Sequence, residues 1–488
     1  MGAVGETKIV DMGVQGFRGL TADSREVKPG FLFAALSGTK IDGSRFIEDA
    51  VKRGAAAILA APEAAPLAKK LGIPFIAAAN PRRRLAQMAA EFYGAQPQGI
   101  AAVTGTNGKT SVASFLRQIW TFQGRRAASL GTVGIDSPSG HVSLGLTTPD
   151  PVRLHAELSR LKREGVDHLA LEASSHGLDQ YRLDGVEISA AGFTNITRDH
   201  LDYHTSFADY LAAKLRLFTD LVKDGGVAVV NVDSVHAEDF IAAAKRRRLK
   251  LLTVGVHGED LRLIAQMPHA SGQELTVLYQ GREHKIALPL AGSFQASNAA
   301  VSAGLALALG DPAETVFAAL ATLKGAPGRL ELVARTRQNA PIYVDYAHTP
   351  DAIETVLKAL RPHVKERLHI VFGCGGDRDR GKRPLMAAAA RRFADDVIVT
   401  DDNPRSEDPA AIRREVLAGA PDAREIAGRA EAIHYAVGQL GENDALVLAG
   451  KGHEDYQIIG AEVHPFSDRG EAVKAAIASG GIAVGDAA

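Results

Sequence analysis

Short apolar runs separated by segments of helical period recur along the whole chain. Residues 31–36 and 55–60 read as strands around a helix-like 46–52, and 82–93 carries a further helical pattern. The stretch Gly94-Ala-Gln-Pro-Gln-Gly99 then reads as a linker. A second block opens on the apolar run 100–103 and alternates strands with helices to about Gly325, where Gly325-Ala-Pro-Gly328 marks another boundary. In the third block the apolar runs are 342–344, 368–372, 397–400 and 445–449. Such alternation predicts an α/β chain with parallel sheets covered on both faces. We expect three domains, at residues 1–98, 99–327 and 328–488.

Length agrees with that count, since 488 residues at roughly 150 per domain suggests about three. Fifty-six basic residues against fifty-seven acidic ones offer no global electrostatic footprint for nucleic acid or an anionic membrane. The Ala-rich stretch 54–68 is broken by Pro62, Glu63 and Pro66, so no membrane span is expected. The opening MGAVGETKIVDM lacks a basic region followed by an apolar stretch, which argues against a secretory signal. The one cysteine, Cys374, cannot form an intrachain disulfide, and between glycines at a strand end it reads as a small packed residue. Together these features predict a soluble, cytoplasmic protein, with a monomer as the default.

Chemistry first becomes specific at Gly105-Thr106-Asn107-Gly108-Lys109-Thr110-Ser111. The segment lies between the strand 100–103 and a helical stretch, 112–122, stopped by Gly124. Strand, glycine turn and helix N-terminus form the context of a nucleoside-triphosphate phosphate loop, where backbone N–H groups and the helix dipole favour phosphate. Lys109 would then sit on the outer phosphates, and the Thr110 hydroxyl would help to hold Mg²⁺. Two residues, rather than four, separate Gly105 from Gly108.

A second lysine stands in an unexpected place. Residues 206–220 have helical period, with Phe207, Tyr210, Leu211, Leu215 and Phe218 on one side, and Lys214 lies in the same arc. A lone ammonium on an apolar face either snorkels to the edge or is paired, neutralised or modified. Glu172 ends the apolar run 168–171, as a Mg²⁺-binding carboxylate near a phosphate loop commonly does. The segment 194–204 is dense in oxygen and imidazole groups, without the paired histidine or cysteine spacing that zinc requires. In the third block each apolar run ends in a polar or Gly-rich loop: Asp345-Tyr-Ala-His348, Gly373-Cys-Gly-Gly-Asp377, Asp401-Asp-Asn-Pro-Arg405 and Gly450-Lys-Gly-His-Glu454. Open α/β sheets bind ligands outside the carboxyl ends of their strands, so these four loops are a candidate site.

Taken in order, Thr104-Gly-Thr-Asn-Gly-Lys-Thr110, Glu172-Ala-Ser-Ser-His-Gly-Leu178, Asn195-Ile-Thr-Arg-Asp-His-Leu-Asp-Tyr-His204, Asp345-Tyr-Ala-His-Thr-Pro350 and Gly373-Cys-Gly-Gly-Asp-Arg-Asp379 resemble the Mur ligases. The likeness runs from Asp23-Ser24-Arg25 to Gly450-Lys-Gly-His-Glu-Asp-Tyr456. It implies an N-terminal domain for the UDP-MurNAc peptide, a central ATPase domain with a phosphate loop, and a Rossmann-like C-terminal domain for the amino acid. By resemblance Lys214 is carbamylated and becomes an anionic oxygen ligand for Mg²⁺, with Thr110, Glu172 and His200 in the same metal set and Lys109 beside it. Ser24, Thr147, Thr148, Ser174, Gln180 and Arg182 match positions that hold the nucleotide-sugar peptide. Asn298, Arg329, Asp345 and His348 match ATP-side positions. Leu146 departs from the asparagine common before the threonine pair, the loop Thr39-Lys-Ile41 varies, and Ser111 replaces a threonine.

The resemblance further implies an ATP-driven amide ligase that extends UDP-MurNAc-L-Ala-D-Glu through an acyl phosphate. Asp402-Asn403-Pro404-Arg405, with Arg378, Gly450 and Glu454, is similar to the signature for meso-diaminopimelate. A planar guanidinium reads the far carboxylate of that amino acid bidentately, and lysine has no such group. Alternatives are a ligase of the same type adding L-lysine, one extending folate with glutamate, or a nucleotide-dependent switch that makes no bond.

Overall fold

A computed structural model of the chain describes residues 14–38, 42–200 and 203–485. The opening residues, the variable Thr39-Lys-Ile41 and the pair Leu201-Asp202 lie outside them. The chain divides into two compact units. One takes in the chain up to Lys109 with 124–230 and 234–252; the other takes in 110–123, 231–233 and everything from Thr253.

The first unit begins with a four-stranded parallel sheet in sequential order, Gly19–Thr21, Phe31–Ala34, Ala57–Ala60 and Phe75–Ala77. Its strands are apolar without alternation because both faces are covered. Leu32 and Ala34 pack on one side with Leu85 and Met88, and Phe33 packs on the other with Ile47 and Phe75. The helix Pro81–Tyr93 starts where Asn80 caps it, its side chain accepting from the Arg83 N–H, with Pro81 in the first turn.

The same unit carries a larger sheet in which Val222–Asn231, Ile188–Phe193, Gly99–Thr104, His168–Glu172 and Ala127–Gly131 lie side by side and parallel. The antiparallel strands Gly134–Ser137 and Gly140–Val142 extend it. Parallel register puts the loops after 104, 172 and 193 at one edge. Asp184 ties this part to the helix Pro81–Tyr93, since its carboxylate pairs with Arg83 at 2.9 Å and with Arg216 at 3.0 Å.

In the second unit an antiparallel meander, Leu261–His269, Gly272–Tyr279 and Arg282–Leu288, precedes the helices Ser293–Ala308 and Ala313–Leu320. His363 ties the meander to the start of the first of these helices: its Nε2 accepts from the Gly292 N–H and its Nδ1 donates to the His269 carbonyl. A seven-stranded sheet completes the unit. Its four middle strands, Asp396–Val399, Leu368–Phe372, Ala445–Ala449 and Pro341–Asp345, are adjacent and all parallel. The four loops singled out in the sequence therefore do share one sheet edge.

Two boundaries differ from expectation. The helix expected from Val112 begins at Lys109, because the Lys-Thr-Ser run is its first turn. The helix expected over 206–220 ends at Arg216 and opens into a π-helical turn, Leu217–Leu221. Among the described residues no helix is long and apolar enough to cross a membrane.

Candidate active site

The phosphate loop is braced by the segment after the strand Ile188–Phe193. The Asn195 carbonyl accepts from the Thr106 N–H, and Asn195 Oδ1 accepts from the Asn107 N–H at 3.0 Å. Thr194 Oγ1 donates to the Asn107 carbonyl at 2.6 Å, and the Thr197 N–H donates to Thr106 Oγ1. Gly105 is a glycine of necessity: φ is +152° and a Cβ there would stand 1.9 Å from Thr194 Oγ1. The oxygen-rich stretch that begins at Thr194 thus first shapes the loop that would hold phosphate.

Two lysines converge on this loop. Lys109 Nζ donates to the carbonyls of Gly105 (2.9 Å) and Thr106 (2.8 Å), and Lys214 Nζ donates to the same Gly105 carbonyl at 2.7 Å. Lys214 is only 1% exposed, so the snorkelling alternative fails. The buried stripe of its helix is Tyr210, Ala213, Lys214 and Leu217, and Phe207, Leu211 and Leu215 lie at its partly covered margin. Burial, reinforced by the charge of Lys109, pushes the Lys214 amine well below its ordinary range. The Tyr210 ring lies 4.5 Å beneath it, and the Tyr210 hydroxyl is 2.9 Å from Thr106 Oγ1. Burial also raises the Tyr210 phenol, which stays protonated.

Glu172 is buried at its strand end, and its carboxylate accepts from the N–H of Thr132 at 2.8 Å and from the Thr132 hydroxyl at 3.1 Å. Thr132 Oγ1 lies 3.0 Å from Thr147 Oγ1, and Thr148 Oγ1 donates to the Glu172 carbonyl. Ser174 Oγ donates to Thr148 Oγ1. Arg182 reaches the Thr148 carbonyl with Nη1 (2.6 Å) and Gln180 Oε1 with Nη2 (2.7 Å). Five of the six residues expected to hold the nucleotide-sugar peptide are thereby joined to Glu172. Ser24 is buried near the first sheet, and no hydrogen bond among the described residues joins it to that network. Leu146 is exposed. His200 sits at φ +53° with its ring edge-on to His176, centroids 5.0 Å apart. Among the described residues no three His, Cys, Asp or Glu side chains are grouped as a metal cage.

In the second unit Thr110 and Ser111 are buried in the first turn of their helix. Asn298 Nδ2 donates to Gln295 Oε1, and Gln295 Nε2 donates to the Arg329 carbonyl. The Arg329 guanidinium stacks 4.8 Å from the Tyr346 ring centroid. Asp345 accepts from the N–H groups of Leu330 and Ala347, each at 2.7 Å, while burial raises its pKa. His348 bonds the Tyr346 carbonyl at 2.8 Å through Nδ1.

At the shared sheet edge Asp402, Asn403 and Pro404 are buried and Arg405 is partly open, at φ +51°. Arg405 Nη1 donates to the Gly376 carbonyl at 2.8 Å. A Cβ on Gly375 would meet Arg405 Nη1 at 2.8 Å and Arg378 Cγ at 3.8 Å, so both arginines flank this glycine. Asn403 Nδ2 donates to Glu454 Oε2 at 3.0 Å. Gly450 adopts φ +110°, and a Cβ there would press on Asp402 Oδ2 at 2.9 Å. The Cys374 thiol is buried against Met386 and pushed up to about 12, which keeps it protonated and packed rather than reactive.

Three participants were not anticipated from the sequence. Thr132 carried no local signal, and Tyr210 stood on the apolar arc beside Lys214 with nothing to mark its hydroxyl for the loop. Lys451 stood in a loop already singled out, yet only its complete burial shows that its charge belongs to the pocket.

Residues 16–93 match the Mur ligase family catalytic domain, 103–306 the Mur ligase middle domain, and 328–452 the Mur ligase glutamate ligase domain. The chain is similar to the UDP-N-acetylmuramoyl-L-alanyl-D-glutamate–2,6-diaminopimelate ligase of Bradyrhizobium diazoefficiens, with 57% identity over 94% of this chain and 95% of that one. The enzyme of the same name from Caulobacter vibrioides is 54% identical over 94% and 95%. A solved structure of a ligase with this name superposes with a TM-score of 0.72, at 36% identity and 95% coverage of each chain. With its phosphate loop, buried lysine and four-loop sheet edge in the matched segments, the chain belongs to the Mur ligase family.

Proposed function

We propose that the chain joins meso-diaminopimelate to UDP-MurNAc-L-Ala-D-Glu at the expense of ATP, a step of peptidoglycan precursor synthesis. The observation that carries this reading is the buried, desolvated Lys214 aimed at the phosphate loop in a chain 57% identical to a ligase named for that reaction. The three domains are read as residues 1–98 for the nucleotide-sugar peptide, 99–327 for ATP and 328–488 for the amino acid, and the matched segments support that division.

The D-glutamyl γ-carboxylate attacks the γ-phosphorus, forming an acyl phosphate and releasing ADP. The diaminopimelate amine then attacks the acyl carbon, the amine proton is lost, and inorganic phosphate leaves as the amide forms. Lys109 offsets charge on the transferring phosphoryl group, and the N–H groups of the braced loop orient the phosphates. Thr147, Thr148, Ser174, Gln180 and Arg182 hold the peptide end of the acceptor, with Ser24 on its nucleotide side.

Lys214 fits the carbamylated role. Desolvation favours the neutral form of an amine, and the neutral amine is the form that adds to carbon dioxide, losing a proton to give a carbamate with two oxygens. Thr110, Glu172, His200 and that carbamate offer the hard oxygen and imidazole donors Mg²⁺ accepts. When bound, Mg²⁺ would supply charge neutralisation at the phosphates.

Arg378 and Arg405 read the distal carboxylate of diaminopimelate. Asp402, Asn403, Glu454 and the close backbone at Pro404 and Gly450 frame its ammonium. Dependence on ATP is the ground for reading a cytoplasmic enzyme with small-molecule substrates, and a monomer stays the working default. The test is product formation from UDP-MurNAc-L-Ala-D-Glu, ATP and Mg²⁺ with meso-diaminopimelate or L-lysine. Tripeptide with diaminopimelate alone is expected. Preference for lysine would overturn the specificity, and phosphate release without tripeptide would favour a nucleotide switch.

A further inference from the structure

Lys451 comes directly after Gly450 in the loop that leaves the strand Ala445–Ala449, yet its side chain has no exposed surface. An ammonium withdrawn from water is unfavourable unless acceptors meet it. Here Asn403 Oδ1 lies at 3.1 Å, Glu454 Oε2 at 3.3 Å and Asp402 Oδ1 at 3.6 Å, with the Tyr456 ring centroid at 5.7 Å.

This cage has two effects. Asn403 Oδ1 accepts from the Lys451 ammonium and also from the Ile458 N–H at 3.0 Å, while Asn403 Nδ2 donates to Glu454 Oε2 at 3.0 Å. Two groups that can only donate thus fix the amide oxygen, and a carboxylate fixes the amide nitrogen, so the side chain keeps one orientation. The second effect is on charge: one ammonium faces two carboxylates, which leaves one negative charge in the cluster. Of the nearby cations, Arg429 is paired with Asp468, and Arg405 Nη1 is directed at the carbonyls of Gly376 and Asn403 rather than at either carboxylate. Glu454 Oε1 and Asp402 Oδ2 accept no hydrogen bond from the described residues.

We infer that Lys451 is a positioning residue for the amino-acid substrate. It holds Asp402 and Glu454 together against their mutual repulsion and fixes Asn403, so that the remaining carboxylate oxygens receive an ammonium of the diamino acid. That ammonium completes the charge balance. Lys451 itself is sealed off and never touches the ligand. The inference rests on reading this pocket as the diaminopimelate site.

The test uses the full-length enzyme with diaminopimelate varied and the other substrates saturating, in the wild type, Lys451→Met, Glu454→Gln and the double variant. Lys451→Met is expected to raise KM for diaminopimelate on the order of 30-fold. Its kcat and its KM for ATP should stay within about threefold, the pattern of lost substrate binding. The double variant should be no worse than Glu454→Gln alone to within about twofold, because both changes break one arrangement. An unchanged KM, a parallel fall in every parameter, or effects that multiply in the double variant would each overturn the proposal. If Lys451→Met does not fold, Lys451→Gln, which keeps a donor toward Asn403 without charge, is read the same way. A wild type that makes no product with diaminopimelate would instead overturn the functional reading beneath it.

Discussion

Lys214 Nζ donates to the Gly105 carbonyl across 109 positions of sequence, and Lys109 Nζ shares that acceptor. Two amines on one carbonyl is an electrostatically unfavourable arrangement if both are charged. Burial and the neighbouring charge of Lys109 both lower the pKa of the Lys214 amine, which favours a reactive amine at position 214.

Replacement of Lys214 by Met should therefore leave a folded protein with product formation reduced by about 100-fold or more, since on the proposed carbamate role it removes an oxygen donor from the phosphoryl-transfer site. Activity of the wild type should fall when bicarbonate is stripped from the buffer and return on its addition, whereas the variant should not respond. Equal response of both proteins would exclude the carbamate.

Gly105→Ala should raise KM for ATP and lower the melting temperature together. The added Cβ would stand 1.9 Å from Thr194 Oγ1 at a φ that side chains avoid. Trimming Thr194 to Ala removes the side-chain clash but leaves the Asn195 carbonyl oxygen 2.9 Å from the Cβ and loses the bond to the Asn107 carbonyl, so the pair should recover part of the stability and little of the ATP affinity. Thermal unfolding with and without ATP separates the two effects.

Arg405→Lys should raise KM for diaminopimelate by about tenfold or more, because a point charge replaces a planar fork. The substitution also loses the Nη1 bond to the Gly376 carbonyl. KM for ATP should change little. An unaltered diaminopimelate KM would show that Arg378 reads the carboxylate alone.

His155 is the clearest pH-dependent group away from the chemistry. Burial lowers it to about 4, and its Nε2 bonds the Asp184 carbonyl at 3.2 Å. The unfolded chain takes up this proton near 6.5, well before the folded one does. Its contribution is thus fully present above pH 6.5 and is lost as pH falls toward 4, by about 3 kcal/mol. Melting temperatures of wild type and His155→Gln, measured between pH 7 and 4.5, should converge toward the acid end. Parallel curves would remove His155 as a source of acid lability.

Much of this protein was written locally. Apolar runs located the strands that were named to within a residue or two, because parallel strands covered on both faces must be continuously apolar, whereas the antiparallel meander 261–288 was not read as strands. The strand–glycine–lysine–helix context placed the phosphate loop, whose requirements lie within one short segment, and ordered motifs placed the family. What the sequence could not decide depends on residues far apart along the chain. Helical period put Lys214 on an apolar arc but could not say whether its amine reached water; the 1% exposure comes from packing of Tyr210 and the phosphate loop around it. Thr132 binds Glu172 only because their strands lie side by side, and Ser24 stands apart from the threonine network although both match one substrate. Lys451 joined Asn403 and Glu454 only when two sheet-end loops, nearly fifty residues apart, closed over it. Burial and charge pairing are properties of the assembled edge, and no single segment carries them.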